Sequence, residues 1–175
     1  GVYTSLTQSY VADNYHYFTD VRANATVVTS SGANSGIPYQ FYNYTLTEEN
    51  VYVYNRYSQL YKIISRANTL FAHLGDVSYA TPSARDTYEA EARFLRALSY
   101  YWLVTEWGDV PLVLKVLEST EEVRANNYRR PKAEIYQAIF DDLKYVTESP
   151  LPDVQPASAC GKVSKAAAWA LWGKA

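Results

Sequence analysis

Apolar positions recur at helical spacing through most of the chain after residue 47. Thr47 followed by Glu48 and Glu49 predicts a helix start, because an N-cap hydroxyl and early acidic residues suit the first turn. Gly75 predicts that this helix ends near residue 74. Two stripes of mainly apolar residues run along this helix, which predicts that it packs against other elements on two sides. The stripes are Tyr57, Tyr61, Ile64, Asn68 and Phe71, and Val53, Leu60, Ile63, Ala67, Leu70 and Leu74.

Three more helices follow along the chain. The second spans about residues 83–106 and should end at Gly108. The third begins at Pro131, which suits the N1 position, and should stop at Pro150. Ser164 predicts the N-cap of a last, Ala-rich helix that shows no stop signal. We therefore expect the sequence to be part of a longer protein.

The pattern predicts a mainly α fold built from antiparallel helix pairs. Ala90, Phe94 and Ala97 have the spacing of the second helix of a tetratricopeptide repeat, although the joining loop is too long for that repeat. Residues 1–47 are instead rich in Tyr, Ser, Thr and Asn and read as loops. We predict a single domain over residues 1–175, with a loop-rich part (1–47) and a helical scaffold (48–175).

Composition and charge argue against several classes of function and site. The chain has 175 residues, a net charge of −2 and no basic block, which argues against nucleic-acid binding. A single cysteine, Cys160, allows neither an internal disulfide nor a zinc site with several thiolates. His16 and His73 lie in no metal-binding frame. We expect no metal, no cofactor and, because no apolar run reaches about 18 residues, no membrane span.

The acidic residues do not suggest catalysis. Adjacent pairs such as Glu121 and Glu122, or Asp141 and Asp142, diverge by about 100° on a helix and do not face one another. A glycoside hydrolase needs two carboxylates about 5–10 Å apart across a cleft. No pair is spaced for that role, so we predict that the protein is not an enzyme.

The feature most suggestive of binding is the aromatic and amide-rich stretch over residues 20–44. Flat rings pack on the C–H faces of sugars, while directional polar groups satisfy the hydroxyls. Packing into a core is an equally good interpretation of the stretch as a whole, and a better one for any single tyrosine. The candidate ligand contacts are Tyr39, Phe41 and Tyr42 as stacking faces, with Arg22 and Asn34 as polar partners.

Several motifs together resemble the SusD/RagB family. The sequence E-A-R-F-L-R-A-L over residues 91–98, followed by W-G-D-V-P-L over residues 107–112, is similar to the hallmark of that family. Further similar segments occur in the same order over residues 61–70, 130–143 and 161–168. The resemblance covers nearly the whole chain.

The resemblance implies a surface-exposed lipoprotein of the Gram-negative outer membrane. Members of the family are non-catalytic and hold a glycan, or sometimes a peptide, over a SusC-like TonB-dependent transporter. They carry tetratricopeptide-like helix pairs, and their hallmark residues are structural. The anchoring lipid would sit upstream of Gly1, because Cys160 is internal. The alternative is a protein–protein interaction scaffold whose ligand site lies elsewhere in the parent protein.

Overall fold

The computed structural model describes residues 1–28 and 36–175. These residues form helices and one isolated antiparallel bridge, between Val110 and Arg130, which confirms the mainly α prediction. The helices are α1 (Tyr39–Tyr42), α2 (Val51–His73), α3 (Pro82–Trp107), α4 (Thr120–Asn126), α5 (Lys132–Glu148) and α6 (Lys165–Lys174). Shorter helical turns lie at Tyr3–Ser5, Tyr17–Val21 and Ala157–Ala159.

The chain divides into two compact units, and the boundary falls within α2. Apart from the first two residues, unit 1 comprises residues 3–62 and unit 2 comprises residues 63–175. Unit 1 is built from short helical turns and the first half of α2. Its buried apolar side chains are Val11, Phe18, Val21, Phe41 and Leu60.

The start of α2 differs from the sequence-based prediction. The helix begins at Val51, and its N-cap is Asn50 rather than Thr47. The Asn50 Oδ1 atom accepts hydrogen bonds from the backbone N–H groups of Tyr52 (3.0 Å) and Val53 (3.3 Å). Asn is as good an N-cap as Thr, and only Asn also offers an amide donor. The amide group of Asn50 also donates to Ile37 and Gln40, and these hydrogen bonds favour Asn50 over Thr47 as the N-cap.

Unit 2 is a helical layer in which α3 packs on α5 and α5 packs on α6. Apolar residues at helical spacing form its core, including Leu95, Leu103, Ile135, Ile139 and Leu143, each at most 1% exposed. Gly108 ends α3 with φ at 74° and ψ at −123°, a backbone conformation that side chains disfavour. The prediction that Gly108 terminates this helix is therefore confirmed.

Two local features of unit 2 correct the sequence analysis. Pro131 is the N-cap of α5 and not its first helical residue. The short helix α4 was not predicted, although Ser119 and Glu122 carry its signature: the Ser119 Oγ atom accepts a hydrogen bond from the Glu122 N–H at 3.1 Å. By contrast, Ser164 caps α6 as predicted, accepting from the Ala167 N–H at 3.3 Å.

Candidate ligand-binding site

Phe41 anchors the short helix α1 in the interior of unit 1. Its ring packs edge-on against Phe18 (centroids 4.9 Å apart) and lies 5.8 Å from the ring of Tyr17 and 6.5 Å from that of Tyr52. Only 1% of the residue is exposed. A ring enclosed in this way offers no face to a ligand. The sequence-based choice of Phe41 as a stacking face is corrected accordingly, and Phe41 is left out of the proposal below.

A buried arginine, Arg56, also contacts the aromatic residues in the interior of unit 1. Arg56 on α2 is fully buried, and its Nη1 atom donates to the carbonyl oxygen of Tyr10 at 3.0 Å. Its guanidinium carbon lies 4.8 Å from the ring centre of Tyr15 and 4.9 Å from that of Phe18. Such cation–π contacts strengthen when water is excluded. Arg56 thereby fixes the loop-like N-terminal turns against α2.

Tyr39 and Tyr42 flank Phe41 on α1 and are both half-buried. Their ring centroids are 5.6 Å apart and their planes are inclined by 39°. Asn50 holds this helix in place, because its Nδ2 atom donates to the carbonyl oxygen of Ile37 (3.0 Å) and to Gln40 Oε1 (2.9 Å). The two rings are therefore partly accessible, and the hydrogen bonds of Asn50 fix the helix that carries them. We call Tyr39 and Tyr42 the outer tyrosine pair.

The structure brings one of the two polar candidates towards the same stretch. The Tyr44 hydroxyl donates to the backbone carbonyl oxygen of Arg22 at 2.8 Å, while the Arg22 side chain is exposed. Tyr44 itself is 64% exposed and has a positive φ of 59°. Asn34, the other polar candidate, lies outside the described residues. A partly exposed ring pair can hold a sugar ring by stacking on its C–H face.

The hallmark residues of unit 2 form a buried charge network. Arg96 on α3 donates to both carboxylate oxygens of Asp142 on α5, each at 2.7 Å, and its Nη1 atom donates to Asn68 Oδ1 at 2.7 Å. Arg93 donates to Asp142 at 2.9 Å and to Glu89 at 2.7 Å. Glu89 lies four residues before Arg93 on α3 and is only 7% exposed, so its carboxylate is part of the core.

The network also holds the segment that follows α3. The Val113 carbonyl oxygen accepts from Asn68 Nδ2 at 3.0 Å, and the Leu114 carbonyl oxygen accepts from Arg96 Nη1 at 3.2 Å. The Tyr100 hydroxyl donates to the Val113 carbonyl at 2.9 Å and accepts from its N–H at 2.7 Å. Sequence reasoning missed this network, although two arginines three residues apart on a core-facing helix were the available signal.

These contacts shift two pKa values in unit 2. Burial works against the charge of Arg93, but the hydrogen bonds and negative charges of Glu89 and Asp142 outweigh it, so the pKa of Arg93 is raised. Burial raises the pKa of the Tyr145 phenol, and the negative charge of the nearby Glu89 raises it further. The carboxylates of Glu89 and Asp142 are thus each paired with a guanidinium group.

Within residues 1–28 and 36–175, no three His, Cys, Asp or Glu side chains come together in a way that could hold a metal ion. Over the same ranges, no helix combines the length and the apolar character that crossing a bilayer requires.

Comparisons with known proteins identify the relatives of this chain. A SusD-like family model, described as starch-binding and associating with the outer membrane, matches residues 1–174. SusD-like protein P2 of Formosa agariphila is 32% identical over 127 residues, which are 73% of this chain and 25% of that protein. The chain therefore spans only about a quarter of the length of this relative.

Solved structures agree on the fold. A laminarin-binding SusD-like protein is 29% identical, with a TM-score of 0.78 over 99% of this chain and 38% of that one. Surface glycan-binding protein A of Bacteroides thetaiotaomicron, solved with laminarihexaose, is 22% identical, with a TM-score of 0.78 over 99% of this chain and 36% of that one. The family match over almost every residue confirms the resemblance carried by the motifs of α3 and α5: this chain belongs to the SusD-like family.

Proposed function

We propose that the protein containing this chain binds glycans at the cell surface without catalysis, and that the outer tyrosine pair contributes to the binding site. The observation that carries the proposal is the placement of Tyr39 and Tyr42 on a helix fixed by Phe41 and Asn50. A rigid, partly exposed ring pair loses little freedom when a sugar stacks on it. The exposed Arg22 side chain and Asn34 supply polar contacts in this proposal.

Laminarin is the first ligand to test, because a family member 29% identical to this chain is named for binding it. The experiment measures laminarin affinity of the full-length parent protein by calorimetry and by retardation in laminarin-containing gels. The double variant Tyr39→Ala/Tyr42→Ala should bind at least about tenfold more weakly, equivalent to about 1.4 kcal/mol. The double variant Tyr39→Phe/Tyr42→Phe keeps both rings and should retain binding.

Tyr88→Ala serves as the matched control, because this helical tyrosine of unit 2 is 52% exposed and lies outside the proposed site. Unchanged affinity in the double alanine variant would remove the sugar site from this chain. The chain would then serve as an interaction scaffold, with the ligand bound elsewhere in the parent protein. If the full-length protein binds no glycan in a broad screen, the function itself is refuted.

The second part of the proposal is delivery to a TonB-dependent transporter. The association of the family with the outer membrane supports it. In cells of the source organism, deletion of the gene should abolish uptake of fluorescent laminarin oligosaccharides, and the double alanine variant should restore it only in part. Normal uptake in the deletion strain would refute delivery while leaving glycan binding intact.

A further inference from the structure

The turn that ends α1 places a tyrosine where glycine is usual. The Thr45 N–H donates to the Gln40 carbonyl oxygen at 3.1 Å, and the Asn43 N–H donates to the Tyr39 carbonyl oxygen at 3.0 Å. The first of these hydrogen bonds is characteristic of a helix end in which the residue between takes a left-handed backbone conformation. That residue is Tyr44, with φ at 59°. The path of the chain therefore requires a positive φ at position 44.

Side chains on both sides of Tyr44 hold this turn. The Asn43 Oδ1 atom accepts hydrogen bonds from the Thr45 hydroxyl at 2.6 Å and from the Thr45 N–H at 3.3 Å. The Tyr44 hydroxyl donates to the carbonyl oxygen of Arg22 at 2.8 Å. Tyr44 is thus fixed both to α1, which carries the outer tyrosine pair, and to the turn that carries Arg22.

Neither the backbone nor packing among the described residues explains why position 44 is a tyrosine. Glycine and asparagine accept a positive φ readily, whereas an aromatic residue there is strained. The Tyr44 residue is 64% exposed, so burial among residues 1–28 and 36–175 offsets little of that strain. Its hydroxyl bond lies at the surface, where water is an equal partner for the Arg22 carbonyl oxygen. Strained residues that persist at a surface point to a function there.

We propose that Tyr44 is a third aromatic contact of the glycan site, presented next to the outer tyrosine pair by the turn that ends α1. This inference rests on the proposed glycan binding and adds a residue to that site. Tyr42 and Tyr44 are two positions apart, so their Cα atoms are separated by at most about 7 Å. One oligosaccharide can therefore reach both residues. Because the backbone and the hydroxyl of Tyr44 are both held, the ring loses little freedom on binding.

Packing against another part of the parent polypeptide is the alternative use of the Tyr44 ring. The two uses differ in their effect on stability when no sugar is present. A contact with a ligand stabilises the folded protein only when the ligand is bound. A packing contact contributes at all times, and its removal lowers stability. The substitution Tyr44→Asn separates them, because asparagine removes the ring and accepts the left-handed backbone.

The experiment measures two properties of the full-length parent protein: laminarin affinity by calorimetry, and the urea midpoint of unfolding without laminarin. Tyr44→Asn should weaken laminarin binding about threefold to tenfold, the range expected for one aromatic contact. Its urea midpoint should equal or exceed that of the wild-type protein, because backbone strain is relieved. Tyr44→Phe keeps the ring and should retain binding. Tyr54→Asn is the matched control, because Tyr54 is 68% exposed on the regular helix α2 of the same unit.

The other outcomes overturn the inference. Unchanged affinity in Tyr44→Asn, with a loss in Tyr39→Ala/Tyr42→Ala, would remove Tyr44 alone from the site. A lower urea midpoint for Tyr44→Asn would assign the ring to packing within the parent protein. An equal loss of affinity in Tyr54→Asn would show that the effect is not specific to position 44. If the wild-type protein binds no laminarin, this inference fails as well. A loss of affinity in Tyr44→Asn alone would instead support Tyr44 and refute the outer tyrosine pair.

Discussion

Replacing Asp142 by Asn tests how much the buried charge network stabilises unit 2. The substitution keeps the size of the side chain and removes its charge. Asp142 is 2% exposed and Arg96 is 6% exposed, and two hydrogen bonds of 2.7 Å join them. The variant therefore leaves the guanidinium of Arg96 buried without its counter-charge, and it also removes the negative charge that lies 2.9 Å from Arg93.

The expected loss in the free energy of unfolding is about 3–5 kcal/mol, the typical cost of breaking one partner out of a buried ion pair. Glu134→Gln is the matched control. It makes the same chemical change in a pair of similar length, 2.8 Å to Arg130, but those side chains are 39% and 44% exposed. Solvent screening limits the contribution of such a pair to about 0–1 kcal/mol.

Urea denaturation followed by circular dichroism measures both variants against the wild-type protein. The midpoint should fall several times further for Asp142→Asn than for Glu134→Gln, with little change in the slope. Equal shifts for the two variants would refute the reasoning. The double variant Arg96→Met/Asp142→Leu should lose less stability than Asp142→Asn, because it leaves no unpaired charge on Arg96.

Three further predictions concern single positions. Gly108→Ala should lower the free energy of unfolding by about 1–3 kcal/mol, as measured by thermal unfolding. Backbone strain alone accounts for this loss, because φ is 74° and an added Cβ atom meets nothing within 4 Å. Asn50→Ala should cost about 0.5–2 kcal/mol for the lost N-cap, while Thr47→Ala should have no measurable effect; the reverse order would contradict the capping geometry. Tyr145 has a raised pKa, so the wild-type protein should lose stability as the pH rises above about 10, where the unfolded phenol ionises and the folded one stays neutral. Tyr145→Phe should show a shallower alkaline loss in urea titrations from pH 8 to 11, and an unchanged slope would argue against the raised pKa.

Sequence periodicity predicted the long helices α3 and α5 of unit 2 because burial there follows the helical repeat. Ile135, Ile139, Leu143 and Val146 lie on one face of α5, and all four are fully buried. Helix ends were harder to place. Thr47 and Asn50 are both suitable caps by residue type, and only the amide contacts of Asn50 with Ile37 and Gln40 decide between them. Those contacts depend on the fold of a loop that has no repeating pattern.

The candidate site was predicted as a region rather than residue by residue. Tyr39, Phe41 and Tyr42 belong to one aromatic run, and composition does not distinguish them. The short helix α1 does, because it turns Phe41 inward and leaves Tyr39 and Tyr42 at the side. The charge network was hidden for a similar reason. Arg96 and Asp142 are 46 residues apart, and their pairing depends on how α3 packs on α5.

The way in which unit 2 holds the segment after α3 has a consequence for its tolerance of sequence change. The side chains of Asn68, Arg96 and Tyr100 form hydrogen bonds with the backbone atoms of Val113 and Leu114. Every residue possesses these backbone acceptors. The side chains of Val113 and Leu114 can therefore vary, whereas Asn68, Arg96 and Tyr100 cannot, because their own side chains make the hydrogen bonds. Proline at position 113 is the exception, since it lacks the N–H that Tyr100 receives. This segment can thus acquire new surface chemistry over evolutionary time while its path across the protein stays the same.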